Sequence, residues 1–175
     1  LSGLVNGTSY WVKARAINSI GAGTASIEFG PVTPATTPSA PSIASSTISA
    51  GTVLLNLSAP GTNGGSAITT YEYRFATNSS AVLSASWTSS ATTSTAISAS
   101  GLVNGTSYFF QVRAVNSIGA GSATAVSSAI TPITTTSPVV IYVSNKLGYS
   151  PLAEIQFFAP ADNGGSAILD YQIRM

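Results

Sequence analysis

Cysteine and histidine are both absent from the 175-residue sequence. Without cysteine the chain can form neither disulfides nor thiolate metal sites. Without histidine it lacks the commonest metal ligand and the side chain that most often transfers protons near neutral pH. These two absences exclude most kinds of metal site and all histidine-based catalysis.

Charged residues are also scarce, since six Lys and Arg and five Asp and Glu make up only 6% of the chain. An ordinary globular domain has about 25%. With a net charge of +1 and no basic cluster, the sequence lacks the pattern of nucleic-acid binding or of attachment to anionic lipid. It is not a disordered chain, because 44% of its residues are hydrophobic. Its longest apolar run, residues 139–143, is far shorter than a membrane span of about 20 residues.

Three short segments occur twice in the sequence, which indicates repeated domains. They are Leu-Val-Asn-Gly-Thr-Ser-Tyr (4–10 and 102–108), Asn-Ser-Ile-Gly-Ala-Gly (18–23 and 116–121) and Asn-Gly-Gly-Ser-Ala-Ile (63–68 and 163–168). The offsets of 98 and 100 residues match a whole domain. Solenoid repeats are shorter, at about 20–50 residues.

Between the repeated segments the hydrophobic pattern alternates with a period of two, which is typical of strands with distinct faces. The pattern predicts the following inward-facing residues: Val53, Leu55, Leu57, Tyr71, Tyr73, Phe75, Tyr108, Phe110, Val112 and Ala114. Asn-Gly and Gly-Gly pairs between the strands favour tight turns, because glycine adopts positive φ. Short strands separated by turns, over about 95 residues, predict an antiparallel β-sandwich.

In its motifs the chain resembles a tandem array of fibronectin type III domains, in the Ser/Thr/Gly-rich style of bacterial extracellular proteins. The resemblance rests on residues 102–108, on Arg-Ala-Val-Asn at 113–116, on Gly-Ala-Gly at 119–121 and on the segment 59–71. It implies an all-β, immunoglobulin-like antiparallel sandwich.

The resemblance also implies two structural tyrosines. Tyr10 and Tyr108 fall at the family's tyrosine corner, where the hydroxyl ties the crossover between strands E and F to the backbone. The chain departs from the family in strand B, where the usual tryptophan is replaced by Leu57 in one repeat and by Phe157 in the other. Because both substitutes are large and apolar, we expect the fold to be kept.

Aligned on the family pattern, the chain divides into three parts and is truncated at both ends. Residues 1–36 hold the C-terminal strands F and G of a first domain, residues 37–134 form a complete domain, and residues 135–175 hold the N-terminal strands A, B and C of a third. The connectors contain several prolines and predict stiff, extended spacers. Each partial domain then needs a partner, which is either the rest of a longer chain or another copy docked head to tail.

Trp11 and Phe109 occupy equivalent positions of strand F and point away from the inward tyrosines. They are candidate surface aromatics that could contact a neutral glycan or a neighbouring chain. The alternative, which is the commoner one, is that strand C′ or a loop of their own domain covers them. Trp87 and Tyr149 are two further aromatics of this kind. No Arg-Gly-Asp tripeptide is present, so integrin binding has no support.

The five carboxylates are scattered along the chain. Asp162 and Asp170 flank one predicted loop, where a carboxylate pair could serve hydrolysis or, with further oxygens, a calcium ion. Their counterparts in the complete domain are Thr62 and Thr70, which favours a role in turn formation. We therefore expect no enzyme, with no catalytic residue, no cofactor-binding residue, no cofactor and no metal site.

Together these observations predict a non-catalytic structural or adhesive segment of a long extracellular repeat protein, such as a surface fibre, stalk or adhesin. A near-neutral, hydroxyl-rich surface favours association, so the expected partners are other domains of the chain, other copies of it and neutral glycans. Two alternatives use the same fold. One is a spacer or glycan-binding module of a secreted polysaccharide-degrading enzyme, and the other is a phage tail or capsid decoration domain. We expect an extracellular, cell-surface or virion-surface location.

Overall fold

The computed structural model describes residues 1–145 and 153–174. We number the strands in chain order: β1 (Tyr10–Val12), β2 (Phe29–Val32), β3 (Ser42–Ser49), β4 (Thr52–Ser58), β5 (Ile68–Ala76), β6 (Thr88–Ser89), β7 (Ala96–Ser100), β8 (Phe109–Asn116), β9 (Ala120–Ala123), β10 (Val140–Asn145) and β11 (Ala153–Phe158). A 3-10 helix, Ala81–Ser84, lies between β5 and β6. Within the described ranges no helix is long and apolar enough to cross a membrane.

Strands β3 to β9, within residues 42–123, form a sandwich of two antiparallel sheets. One sheet has the strand order β3-β4-β7 and the other β6-β5-β8-β9. In the first sheet Val53 of β4 lies opposite both Ile48 of β3 and Ala99 of β7. Because β4 and β5 are consecutive strands in different sheets, the chain crosses the sandwich between them, as in immunoglobulin-like folds. The prediction of an all-β, immunoglobulin-like antiparallel sandwich is confirmed.

The core lies between the two sheets and contains residues that the alternation predicted to face inward. Val53, Leu55 and Phe110 have no exposed surface. The Phe110 ring lies 5.6 Å from that of Phe75, which also meets the Tyr108 ring edge-on at 5.7 Å. Each such side chain contributes roughly 1.5–3 kcal/mol when it is fully buried. Burial of one face of each strand therefore holds the two sheets together.

The outer face of β8 is partly covered as well. The alternation places Gln111 on the face opposite to Phe110, yet Gln111 is only 7% exposed. Its Nε2 donates to the carbonyl oxygen of Thr124 at 2.7 Å, and its Oε1 accepts two hydrogen bonds from the Arg74 guanidinium, at 2.7 and 3.1 Å. The long Arg74 side chain on the neighbouring strand thus shields a polar residue that strand periodicity alone assigns to the solvent side.

The segments on either side of the sandwich repeat parts of it. β1 pairs with β2, and Tyr10 lies opposite Val32 just as Tyr108 lies opposite Ile130. β10 pairs with β11 as β3 pairs with β4. Residues 168–174, which we expected to form strand C, have no ladder partner within the described ranges. The physical reason is that the equivalent strand of the sandwich, β5, pairs with β8 and β6, and no such strands accompany residues 168–174 there.

Candidate interaction surfaces

Trp11 and Phe109, the predicted surface aromatics, differ in exposure. Trp11 is 57% exposed, and a β-carbon on Gly30 would lie 3.2 Å from its Cδ1, so one edge of the indole packs on β2. Phe109 is half-buried and lies opposite Ala76 of β5. Trp11 therefore offers the larger free apolar surface. A binding role for either residue stays a prediction.

Trp87 lies in a cluster of charged side chains on the outer face of the β5–β8 pair. The guanidinium carbons of Arg74 and Arg113 lie over its ring, 4.4 and 4.2 Å from the ring centroid. Both Nη2 and Nε of Arg113 lie 2.7 Å from Oε2 of Glu72 on the neighbouring strand. Since guanidinium groups already stack on the indole, Trp87 is not a free platform for a sugar ring.

The Trp87 cluster gathers all the charge of the sandwich, because Glu72, Arg74 and Arg113 are the only charged residues between 37 and 134. Arg74 also donates to the carbonyl oxygens of Leu83 and Ala85, at 2.8 and 3.3 Å. Glu72 is thus ion-paired with Arg113, while the Arg74 guanidinium is held by neutral acceptors and by the Trp87 ring. The sequence pattern indicated Trp87 as a surface aromatic and did not indicate the cluster. Glu72 and Arg74 alternate with the inward-facing aromatic residues, so the strand pattern places both on the outer face, and that signal could have indicated the cluster.

The segment before the sandwich contacts it directly: the Asn-Gly turn at residues 6–7 packs against the Gly-Gly turn at residues 64–65. A β-carbon on Gly7 would lie 3.1 Å from Cα of Gly65, and one on Gly65 would lie 2.6 Å from the carbonyl carbon of Asn6. The φ angles of Gly7 and Gly65 are +80° and +83°. Glycine is therefore required at both positions, by the backbone conformation and by the lack of space.

The linker at residues 34–36 joins the β1–β2 hairpin to the sandwich and is hydrogen-bonded to the turn on each side. The Gly7 nitrogen donates to the Pro34 carbonyl oxygen at 2.9 Å, and the Thr36 nitrogen donates to the Gly64 carbonyl oxygen at 2.8 Å. The Thr36 carbonyl oxygen accepts a hydrogen bond from Nδ2 of Asn116 at 2.8 Å. Within three residues the linker is thus attached both to the hairpin before it and to the sandwich after it.

The same contact recurs at the other end of the sandwich. A β-carbon on Gly105 would lie 3.0 Å from Cα of Gly165. The Gly105 nitrogen donates to the Pro132 carbonyl oxygen at 2.9 Å, and the Thr134 nitrogen donates to the Gly164 carbonyl oxygen at 2.9 Å. The sequence predicted turns at these glycines but gave no sign that the turns touch. We call the two contacts the first and the second glycine junction.

Comparison with known proteins agrees with this architecture. A family model described as the fibronectin type III domain matches residues 37–130. The chain belongs to the fibronectin type III family. Three consecutive domains of titin are 22% identical to it with a TM-score of 0.53, over 74% of this chain and 42% of that one. The FN1–FN3 domains of chicken CNTN1 are 21% identical with a TM-score of 0.47, over 74% of this chain and 44% of that one.

The chain therefore spans less than half the length of either of these structures. At such low identity the likeness concerns the fibronectin type III fold and not the activity of the whole proteins. Among the curated proteins no match was found.

In this fibronectin type III fold the two predicted corner tyrosines make equivalent hydrogen bonds. The Tyr108 hydroxyl accepts from the Val103 nitrogen at 3.0 Å, and the Tyr10 hydroxyl accepts from the Val5 nitrogen at 2.9 Å. In the sandwich this bond closes the crossover between β7 and β8. Its contribution to stability stays a prediction.

Strand B of the family corresponds to β4 in the sandwich and to β11 in the segment after it. The residue at the position where the family usually has tryptophan differs between these two strands. In the fibronectin type III sandwich it is Leu57, which is 8% exposed and belongs to the core. The equivalent Phe157 on β11 is 43% exposed, and its ring lies 4.8 Å from that of Tyr171. In the sandwich the slot therefore remains apolar and buried without an indole.

Asp162 and Thr62 occupy equivalent turn positions and make the same hydrogen bond. Oδ1 of Asp162 accepts from the Gly164 nitrogen at 2.8 Å, and Oγ1 of Thr62 accepts from the Gly64 nitrogen at 3.1 Å. Asp170 accepts from the amide of the residue that follows it, at 2.7 Å. In the part of the chain that the structure describes, no group of three or more His, Cys, Asp or Glu could hold a metal ion. Tyr149, weighed above as a surface aromatic, lies outside the described residues.

Proposed function

We propose that this chain is a non-catalytic structural segment of a long extracellular protein in which fibronectin type III domains follow one another in tandem. The observation that supports this most directly is the repetition of the linker contacts. The hydrogen bonds from Gly7 to Pro34 and from Gly105 to Pro132 are both 2.9 Å long and join equivalent positions. An array of identical joints suits a protein whose task is to span a distance or to present a surface.

The charge distribution supports the same function. The three charged residues of the sandwich lie together around Trp87, so the rest of its surface carries no charge and is rich in hydroxyl groups. Such a surface favours association through apolar contacts and hydrogen bonds over ionic recognition. The partners we propose for this structural role are neighbouring domains and further copies of the chain, whereas neutral glycans are the partners of the alternative function below. Fibronectin type III domains are often extracellular, which supports a secreted or cell-surface location.

Small-angle X-ray scattering of the full 175-residue chain tests the structural role. A compact globule of this length has a radius of gyration of about 16 Å. We expect a clearly larger value and the scattering profile of an elongated particle. A radius close to that of a globule would contradict the proposal, and turnover of a polysaccharide substrate would contradict its non-catalytic part.

The alternative function, glycan binding as an accessory module, is favoured by one observation, the 57% exposure of Trp11. An aromatic ring on a neutral surface can stack on a sugar. Affinity electrophoresis in gels that contain neutral polysaccharides distinguishes the two functions. Retardation that is lost in Trp11→Ala and kept in Ile27→Ala, a substitution at another exposed apolar residue, would favour the accessory module. A purely structural segment migrates unretarded.

A further inference from the structure

We propose that the Asn-Gly turn and the Gly-Gly turn are a matched docking pair that sets the orientation of each fibronectin type III domain on the next. The partner that fits the Asn-Gly end of one domain is the Gly-Gly turn of another domain of the same kind. This inference rests on the proposed tandem arrangement and goes beyond it, because a tandem array can equally be a freely jointed chain.

The first reason is that the contact is made by backbone atoms. A β-carbon on Gly65 would collide with the nitrogen of Gly7, and it would lie 2.6 Å from the carbonyl carbon of Asn6. Side chains that meet across a joint can exchange rotamers and keep some contact after the joint rotates. Two backbones in direct contact have no such freedom, so rotation of one domain on the other breaks the contact.

The second reason is that the linker is attached to both domains over a very short span. Its Pro34 carbonyl is bonded to Gly7 of the preceding hairpin, while its Thr36 amide is bonded to Gly64 of the sandwich that follows. Three residues further on, the Ser39 nitrogen donates to a carbonyl oxygen in the same Gly-Gly loop at 3.0 Å. A peptide segment bonded in this way acts as a clamp and not as a flexible tether.

The third reason is that the two junctions have the same geometry although a linker side chain differs between them. The first linker has Ala35 where the second has Ile133. Even so, φ is +80° and +77° at the Asn-Gly glycines, and +83° and +79° at the second residues of the Gly-Gly turns. The exchange of Ala35 for Ile133 leaves these angles nearly unchanged, so the linker side chain at this position does not set the joint, and the paired turns with their backbone hydrogen bonds to the linker do. Successive domains are then related by one repeated rotation and translation, which makes a rigid rod of constant twist.

The absence of cysteine allows a direct test in the full chain. Ile27→Cys and Ser98→Cys introduce two exposed labelling sites, one on each side of the first glycine junction, and pulsed electron spin resonance measures the distance distribution between nitroxide labels. The test variant is Gly65→Ala. Its matched control is Gly101→Ala, where φ is +76° and an added β-carbon meets nothing within 4 Å. Both variants strain a left-handed backbone, but Gly65→Ala also places a methyl group against the neighbouring domain.

We expect one narrow distance distribution for the parent chain and for Gly101→Ala, and a broadened or displaced distribution for Gly65→Ala. An unchanged distribution in Gly65→Ala would overturn the docking pair, and so would a broad distribution in the parent chain. Scattering separates this failure from that of the proposed function. An elongated particle with a broad distance distribution leaves the tandem role standing, whereas a compact particle refutes the structural role itself.

A second pair of variants keeps the test valid if Gly65→Ala does not fold. Gly7→Ala adds the methyl group from the other side of the contact, 3.1 Å from Cα of Gly65. Gly3→Ala is its control, because φ at Gly3 is +78° and its β-carbon would meet nothing within 4 Å. We expect Gly7→Ala to broaden or displace the distribution and Gly3→Ala to leave it narrow. Equal distributions in the two variants would contradict the inference.

Discussion

At the scale of single residues, Tyr108 shows how one hydroxyl can stabilise a crossover. Its ring belongs to the core, while its hydroxyl accepts the hydrogen bond from the Val103 nitrogen. Tyr108→Phe keeps the ring and removes one hydrogen bond, so we expect the free energy of unfolding to fall by about 1 kcal/mol. Urea denaturation followed by circular dichroism measures the free energy of unfolding of Tyr108→Phe and of the parent chain. Tyr142→Phe, at a tyrosine that is 60% exposed, is the control and should change little. Equal stability of Tyr108→Phe and the parent chain would show that Tyr108 has no corner role.

We expect Tyr71 to make the stability of the domain fall at alkaline pH. Burial raises the pKa of its hydroxyl above the usual value of 10.0. The folded domain then retains a proton that the unfolded chain loses above about pH 10, so stability is complete below that pH and is lost as the pH rises through the folded pKa. We expect a constant melting temperature between about pH 6 and about pH 9, where no histidine titrates, and a fall above about pH 10.

Tyr71→Phe should reduce this alkaline loss, because phenylalanine fills the same buried position without a titrating group. Thermal melts of the parent chain and of Tyr71→Phe across the alkaline range make the comparison. Tyr142→Phe is again the exposed control and should keep the full loss. If the alkaline loss is the same in all three proteins, burial of Tyr71 is not its cause.

At the scale of elements, the β5–β8 pair is reinforced on the face that does not belong to the core. Arg74 and Arg113 stack on Trp87, and Glu72 pairs with Arg113 across the two strands. Trp87→Ala removes both stacking contacts, and we expect it to lower the free energy of unfolding by about 1–3 kcal/mol. Denaturant unfolding followed by circular dichroism gives the value.

Trp11→Ala is the matched control for Trp87→Ala, since Trp11 is 57% exposed and lies on β1, outside the sandwich. It should change stability by no more than about 0.5 kcal/mol. Equal effects of the two substitutions would mean that the guanidinium contacts do not stabilise the pairing of β5 with β8.

At the scale of the whole molecule, residues 37–134 hold both sheets and the hydrophobic core. We expect this segment to fold when it is produced alone, with a free energy of unfolding of about 5–15 kcal/mol. A single cooperative thermal transition and a dispersed proton NMR spectrum would show this. A collapsed spectrum without a cooperative transition would mean that the domain boundaries are misplaced.

The sequence by itself determined the fold class and the inward face of the main strands. In a strand the side chains alternate between the two faces, so the alternation of apolar residues around Leu55 and Phe110 indicates which face is buried. The repeated segments likewise predicted a unit of domain size. The fold class and the inward faces depend on residues that are close together in the sequence, and for that reason the sequence pattern predicts them.

The tertiary structure alone decided which distant residues meet. The sequence gives Trp87 as an exposed aromatic and the glycine pairs as turns, because each pattern is local. That Trp87 lies under Arg113 depends on the pairing of β5 with β8, and that Gly65 has no room for a β-carbon depends on the packing of Gly7 from another part of the chain. Such contacts are set by strand order and by the path of the linkers, and no short stretch of sequence contains either.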